Sequence, residues 1–391
     1  MEGNLGNSYL GGKQNAKKQI HLSIQHSACK GGVGMNRKEK ELFLLLCRYR
    51  DTDRKKLFRL IEEGAATPEV LGMLLANRMG GIAYHTLTET ALWDRTDREF
   101  RNTLRNAALL NEKMNEDFFA CLKMLSVELD SCGVPYALLK GAFLCAWYPT
   151  GCRTSNDIDV LLAPEDVGKV SAKLKASGFN QGHLKNGVFI PATRQEIIES
   201  KMTRGETVPF IKKVTLPYMR YLEVDLNFSL DYKNSADAGL KEMLNRTTVK
   251  TAGEVAVRTL DPADFLLHLC AHLYKEATTM PWVRMKRDMT FYKFCDLYAL
   301  LYDYSAAQLD ELFKRAVALN LQLELYDCVK SVEAFFGLPC PLTSARSFEQ
   351  RLPLRYVVSP KDKKLYRYAE PDVVKRFFAK NRITLLEEVS E

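Results

Sequence analysis

The sequence predicts an α+β protein, a small mixed sheet with flanking helices, set between helical regions at either end. Three observations carry that prediction. In residues 38–92, Leu42, Leu45, Leu46, Tyr49, Leu57, Leu60 and Ile61, then Val70, Leu71, Leu74 and Leu75, recur at helical spacing. In residues 221–230 apolar and polar residues alternate instead, the period of a half-buried strand. Asp261-Pro262 then opens a second helical stretch, an N-cap followed by proline at the first helical position.

Residues 1–36 are rich in Gly, Asn, Gln, Lys and Ser and show no period, so they read as a disordered arm, with Met35 as a candidate true start. Lys30-Gly31-Gly32-Val33-Gly34 inside it imitates a phosphate-binding loop but lacks the Lys-Ser/Thr that would hold phosphate and metal. Region 37–132 is helical, with a turn at Gly80-Gly81 and one long amphipathic helix, 97–130, closing at Ser131-Cys132-Gly133. Residues 133–258 carry the sheet. There 134–139 is a short buried strand, Gly141 starts an apolar helix reaching 148, and 157–162 is a second strand. Pro164-Glu165-Asp166 opens a helix to 178, and 187–190 and 207–214 are further strands. The polar stretch 193–204, with Lys201, Arg204 and the nearby Lys212 and Lys213, is either an acceptor-side lining or a solvated hairpin rim.

Residues 259–340 form a C-terminal helical domain. His268 and His272 stand at i and i+4 without a third ligand, which predicts packed histidines and no metal. Lys293 and Asp296, one turn apart among aromatics, are candidates for nucleotide contact or for a surface ion pair. The tail, 341–391, is basic, and Phe377 and Phe378 lend it an apolar side; it is expected to pack on the helical domain.

Composition excludes several classes. A chain of 391 residues has room for two or three domains. No apolar run approaches the roughly 18–20 residues that span a bilayer, and the N-terminus lacks a signal-peptide core. Ten cysteines without a Cys-x-x-Cys pair fit buried thiols in the cytoplasm better than disulfides or a zinc site. A net charge of +8 suits phosphorylated substrates but does not support nucleic-acid binding.

The chemistry concentrates in two places. Lys140-Gly141-Ala142 forms a glycine turn at a helix start, where backbone N–H groups can receive phosphate. A dozen residues later comes Arg153-Thr154-Ser155-Asn156-Asp157-Ile158-Asp159-Val160. Side chains two apart on a strand share a face, so Asp157 and Asp159 project together, and two carboxylates that close repel unless a cation lies between them. Oxygen donors without Cys or His favour Mg²⁺, with Mn²⁺ as the alternative. On the later strand Asp225 shares its face with Glu223, Asn227 and Ser229; paired beside the first strand, it would join Asp157 and Asp159 as a metal ligand or as the base for an attacking hydroxyl. Arg153 and Ser155 are placed to reach a triphosphate.

A glycine turn, Asp-x-Asp on one strand and a single Asp on a later strand resemble the polymerase-β-like nucleotidyltransferase superfamily. Leu138-Leu139-Lys140-Gly141-Ala142 and Arg153-Thr154-Ser155-Asn156-Asp157-Ile158-Asp159 are similar to its bacterial family of uncharacterised nucleotidyltransferases. The resemblance covers roughly residues 40–335 and is sharp between about 134 and 230. It implies a nucleotidyltransferase core, with Asp157, Asp159 and Asp225 as catalytic metal ligands and Lys140, Gly141 and Ala142 as the phosphate turn. It also implies an NTP, by family habit ATP, whose NMP passes to a small molecule or modified peptide. Two departures stand out: Ala142 replaces a common Ser, and Asn227 replaces a His that could shuttle protons. A protein-nucleotidylating, antitoxin-like enzyme and a non-catalytic nucleotide-binding scaffold are the rival readings.

Overall fold

The computed structural model describes residues 34–203, 205–230, 238–252, 255–342, 347–348 and 350–389. The expected arm 1–36 and the imitation phosphate loop therefore lie almost wholly outside the described residues. The first described helix opens at Asn36. Asn36 Oδ1 accepts the Glu39 N–H at 3.1 Å while the Asn36 N–H donates to Glu39 Oε2 at 2.6 Å, a capping box that starts helix Arg37–Leu46.

Three short helices follow, Arg54–Glu62, Pro68–Ala76 and Gly80–Glu89. Gly80-Gly81 opens the last of these and is not the turn between helices; the chain turns just before, at Asn77, Arg78 and Met79. Helix Arg98–Asp130 then runs 33 residues from its Asp97 cap. Among the described residues no helix is long and apolar enough to cross a membrane.

The α+β expectation holds. Six strands form one sheet in the order β1-β2-β6-β5-β3-β4, where β1 is Tyr136–Leu138, β2 Asp157–Leu162, β3 Asn180–Lys185, β4 Val188–Pro191, β5 Phe210–Lys213 and β6 Tyr221–Asn227. Only β2 and β6 run parallel; the other pairs are antiparallel. Ile158, Val160 and Leu162 of β2 and Leu222, Val224 and Leu226 of β6 are fully buried with Phe118, Leu122, Leu125 and Leu129 of the long helix. Each such side chain removed from water contributes about 1.5–3 kcal/mol, which fixes the face that β2 and β6 turn inward. The odd-numbered polar residues of both strands are left on the other side.

Among the elements not read from the sequence are two in the sheet region. β3 is a polar strand, and the stretch read as a hairpin rim contains helix Arg194–Thr203.

A two-stranded ribbon, β7 (Thr248–Ala252) and β8 (Val255–Thr259), lies against β1 through the Thr259 hydroxyl, which donates to the Leu138 carbonyl at 2.7 Å. The C-terminal helices Pro262–Ala277, Phe291–Leu301 and Gln322–Phe336 pack against the N-terminal ones, not against one another alone. Phe43 meets Phe291 at 5.0 Å between ring centroids, and Phe377 from the tail meets Phe291 at 4.9 Å. Within 341–391 the chain forms a three-stranded sheet, β9 (Tyr356–Val358), β10 (Leu365–Tyr368) and β11 (Leu386–Glu388), in the order β11-β10-β9. The nine cysteines among the described residues are free and buried, as the spacing predicts.

Candidate active site

The parallel register sets Asp157 beside Glu223 and Asp159 beside Asp225. The two-residue strand period brings these four carboxylates to one face, so the meeting of Asp157, Asp159 and Asp225 expected from the sequence is met in the fold. Glu206, bridged to Asn227, adds a fifth negative charge. Burial first, then Asp159, Asp157, Glu206 and Glu223, hold the Asp225 carboxyl well above the usual carboxylate range. Glu223 is raised as well, by burial and by Asp157 and Asp159.

One helix sets the approach to both acidic strands. Asn111 and Asn115 of helix Arg98–Asp130 donate to the carbonyls of Gly151 and Arg153, each at 2.9 Å. The Asp117 carboxylate accepts the backbone N–H groups of Tyr218 at 2.5 Å and Met219 at 2.9 Å. Gly151, at φ +82°, lies so close to the same helix that a Cβ would stand 2.7 Å from the Ala108 carbonyl oxygen.

The glycine turn lies alongside. The Ala142 N–H donates to the Leu139 carbonyl at 3.1 Å, closing a four-residue turn whose first central residue is Lys140, at φ +46° and ψ −115°. Those angles are the type II′ position normally given to glycine. From it the Lys140 ammonium donates to Asp159 Oδ1 at 2.7 Å. Burial draws this lysine down, but Asp159, Asp157 and Asp225 outweigh it and hold the ammonium above its ordinary range. Gly141 begins helix Gly141–Trp147 against Ser155, whose hydroxyl donates to Asp157 Oδ1 at 2.8 Å. Asn227, where the resembling family has His, donates to Asp159 Oδ1 at 3.3 Å and so orients that carboxylate.

Several sequence-level expectations change here. The Ala142 N–H is committed within the turn and is not an available phosphate donor. Arg153 already has partners: its guanidinium is buried against Asp296, with Nε 3.2 Å and 3.3 Å from the two carboxylate oxygens, and it stacks over Tyr292 at 4.3 Å. Lys293 and Asp296 are not a surface ion pair, since both are buried and each has another partner; Lys293 pairs with Glu276. Burial, Lys140 and Arg153 push Lys293 well below the usual lysine range. His272 donates through Nε2 to Glu276 at 3.1 Å, and burial keeps it and His268 neutral, which matches the expectation of packed histidines.

Lys140, Arg153, His272, Tyr292, Lys293 and Asp296 nevertheless line one cavity of about 30 Å³, together with Leu269. Sequence reasoning missed Glu206, His272, Tyr292 and Glu276 as neighbours of the acids. His272 and Glu276 were recoverable as an i, i+4 pair; Glu206 lies in a loop and carries no periodic signal.

The donor set suits a hard divalent cation: oxygen ligands from two adjacent strands, with Asp225 strained by uncompensated negative charge. Among the described residues, however, no three such side chains stand ready-grouped as ligands, and Lys140 occupies one oxygen of Asp159. The donor atoms are of the kind a hard divalent cation takes, and the Lys140 ammonium stands among them.

Gly141→Ala tests the turn. A Cβ on Gly141 would overlap the Cβ and Oγ of Ser155, so Ser155 must withdraw from Asp157. The expected cost is about 1–3 kcal/mol of stability, seen in the denaturant midpoint.

Residues 64–337 match the sequence family described as "Uncharacterised nucleotidyltransferase". Among solved structures, the crystal structure of an antigenic nucleotidyltransferase-like protein from Paracoccidioides brasiliensis is similar at 16% identity, over 58% of this chain and 95% of that one, with a TM-score of 0.36. That likeness is too slight to bear on the site. No curated protein matches the chain.

Proposed function

We propose, from the premise that this chain belongs to the family of uncharacterised nucleotidyltransferases, that it transfers an NMP from an NTP to an acceptor hydroxyl and releases pyrophosphate. ATP is taken as the donor and a small molecule or modified peptide as the acceptor. The observation that supports this most is the parallel register of Asp159 with Asp225, one step from Asp157 and beside the Lys140-Gly141 turn.

Asp157, Asp159 and Asp225 would hold Mg²⁺, or Mn²⁺ in its place, which when bound neutralises the triphosphate charge. Asp225, whose carboxyl burial and the neighbouring acids hold above the usual range, accepts the proton of the attacking hydroxyl. The acceptor oxygen forms its bond to the α-phosphorus as the bond from that phosphorus to the β-phosphate oxygen breaks, and pyrophosphate leaves. Ser155 and Asn227 keep Asp157 and Asp159 oriented through this exchange. Lys140 supplies the positive charge nearest the acids.

The test is divalent-cation-dependent pyrophosphate release from each of the four NTPs, offered with candidate acceptors. Release with one NTP and its disappearance in Asp157→Asn are expected. Release that survives this substitution unchanged would remove the proposal.

A further inference from the structure

We propose that Lys140 is a stand-in cation, holding Asp159 until a metal-bound polyphosphate arrives and then passing from the carboxylate to the phosphate chain. This rests on the nucleotidyltransferase reading of the same site and adds to it a coupling between metal and nucleotide binding.

The pair is sheltered. The Lys140 and Asp159 side chains keep 19% and 8% of their exposure, at 2.7 Å. An ammonium in such a place is costly to leave unpaired. The other carboxylates whose charge acts on it, Asp157 and Asp225, are the ones the cation itself would take, while Asp296 is engaged by Arg153 and Glu276 by Lys293 and His272. The adjoining cavity, about 30 Å³, is small and is lined by Arg153 and Lys293 as well as by Lys140. A divalent cation arriving alone must therefore evict Lys140 from Asp159 without offering it another partner. A cation arriving with a polyphosphate brings both the replacement charge and the replacement acceptor.

The backbone points the same way. Lys140 stands at φ +46° and ψ −115°, where a glycine would be relaxed, a strain of about 1–3 kcal/mol for a side chain. The turn thus holds a lysine where glycine would be relaxed, and from there its ammonium reaches Asp159.

The experiment compares the protein with Lys140→Met by two titrations. One uses Mn²⁺ alone, followed by the EPR signal of the free ion. The other uses radiolabelled tripolyphosphate with Mn²⁺ in equilibrium dialysis, a probe independent of the base. Lys140→Met is expected to bind Mn²⁺ alone about tenfold more tightly and to retain the Mn²⁺–tripolyphosphate about tenfold less, opposite signs that a merely structural role would not produce. Lys140→Gly, which the turn accommodates, repeats both titrations should Lys140→Met melt early. Shifts of the same sign, or no tightening for Mn²⁺ alone, would overturn the exchange while pyrophosphate release left the transferase reading standing. Opposite shifts without any release would do the reverse.

Discussion

Asp225→Asn should abolish pyrophosphate release, by roughly 10²–10⁴-fold, while leaving the protein as stable as before or more so. The loss follows from removing the proposed metal ligand and proposed proton acceptor together, each an effect of that size. The stability follows from the charge the native residue carries. Asp225 sits half-buried beside Asp159, Asp157, Glu206 and Glu223, and its carboxyl is held well above the ordinary range. A carboxyl raised in the folded state binds more protons there than in the unfolded chain, so without a divalent cation the native protein loses stability as pH rises through the ordinary carboxylate range toward the folded pKa. Asparagine removes that penalty. The gain of Asp225→Asn is therefore expected to be absent in acid and largest above neutrality, and to shrink when Mg²⁺ is added. Parallel urea titrations at low and neutral pH, with and without Mg²⁺, read the sign directly. A destabilised variant at neutral pH would mean that Asp225 is held by partners it needs, and would undo the reading of an overcharged face.

How much of this was legible in the sequence depends on range. The acids could be found because a strand's period is local: Asp157 with Asp159, and Glu223 with Asp225 and Asn227, each lie two apart within one segment. Their meeting could be stated only as a condition, since nothing in either segment says that β2 and β6 are neighbours or that they run parallel. The Asp117 carboxylate that anchors residues 218 and 219 lies a hundred residues before them, on a helix whose own pattern is explained by its apolar stripe.

Helix Arg194–Thr203 escaped notice because Ile197 and Ile198 are adjacent and do not mark a face, and Ile198 remains exposed. β3, reading Asn-Gln-Gly-His-Leu-Lys, has neither alternation nor β-branched residues and exists because β5 and β4 pair on either side of it. The tail's charge masked its strands, and Phe377 drew attention only as one of two aromatics, though it fills the core beside Phe43 and Phe291.

The role of Arg153 illustrates the same limit and leads to the second large effect. Its position two residues before Ser155 and four before Asp157, which are hydrogen-bonded to each other, invited a phosphate contact; its partner Asp296 is 143 residues away, on helix Phe291–Leu301. With 7% and 4% of their side-chain exposure, the two charges are buried, and Tyr292 covers the guanidinium at 4.3 Å. Arg153→Met leaves the Asp296 carboxylate buried without its counter-ion, at an expected cost of about 3–5 kcal/mol. Burial already raises Asp296 against the pull of Arg153, so without the arginine it rises further; the loss should deepen as pH climbs through the carboxylate range and fade in acid. Lysine should restore only part, because a point charge cannot hold both oxygens and stack on Tyr292. The double variant Arg153→Met with Asp296→Leu removes both charges and should regain most of the stability. Pyrophosphate release then separates the two roles: recovery to within about tenfold marks Arg153 as a positioning residue for the strand behind it. A stable double variant without release would return Arg153 to the phosphates.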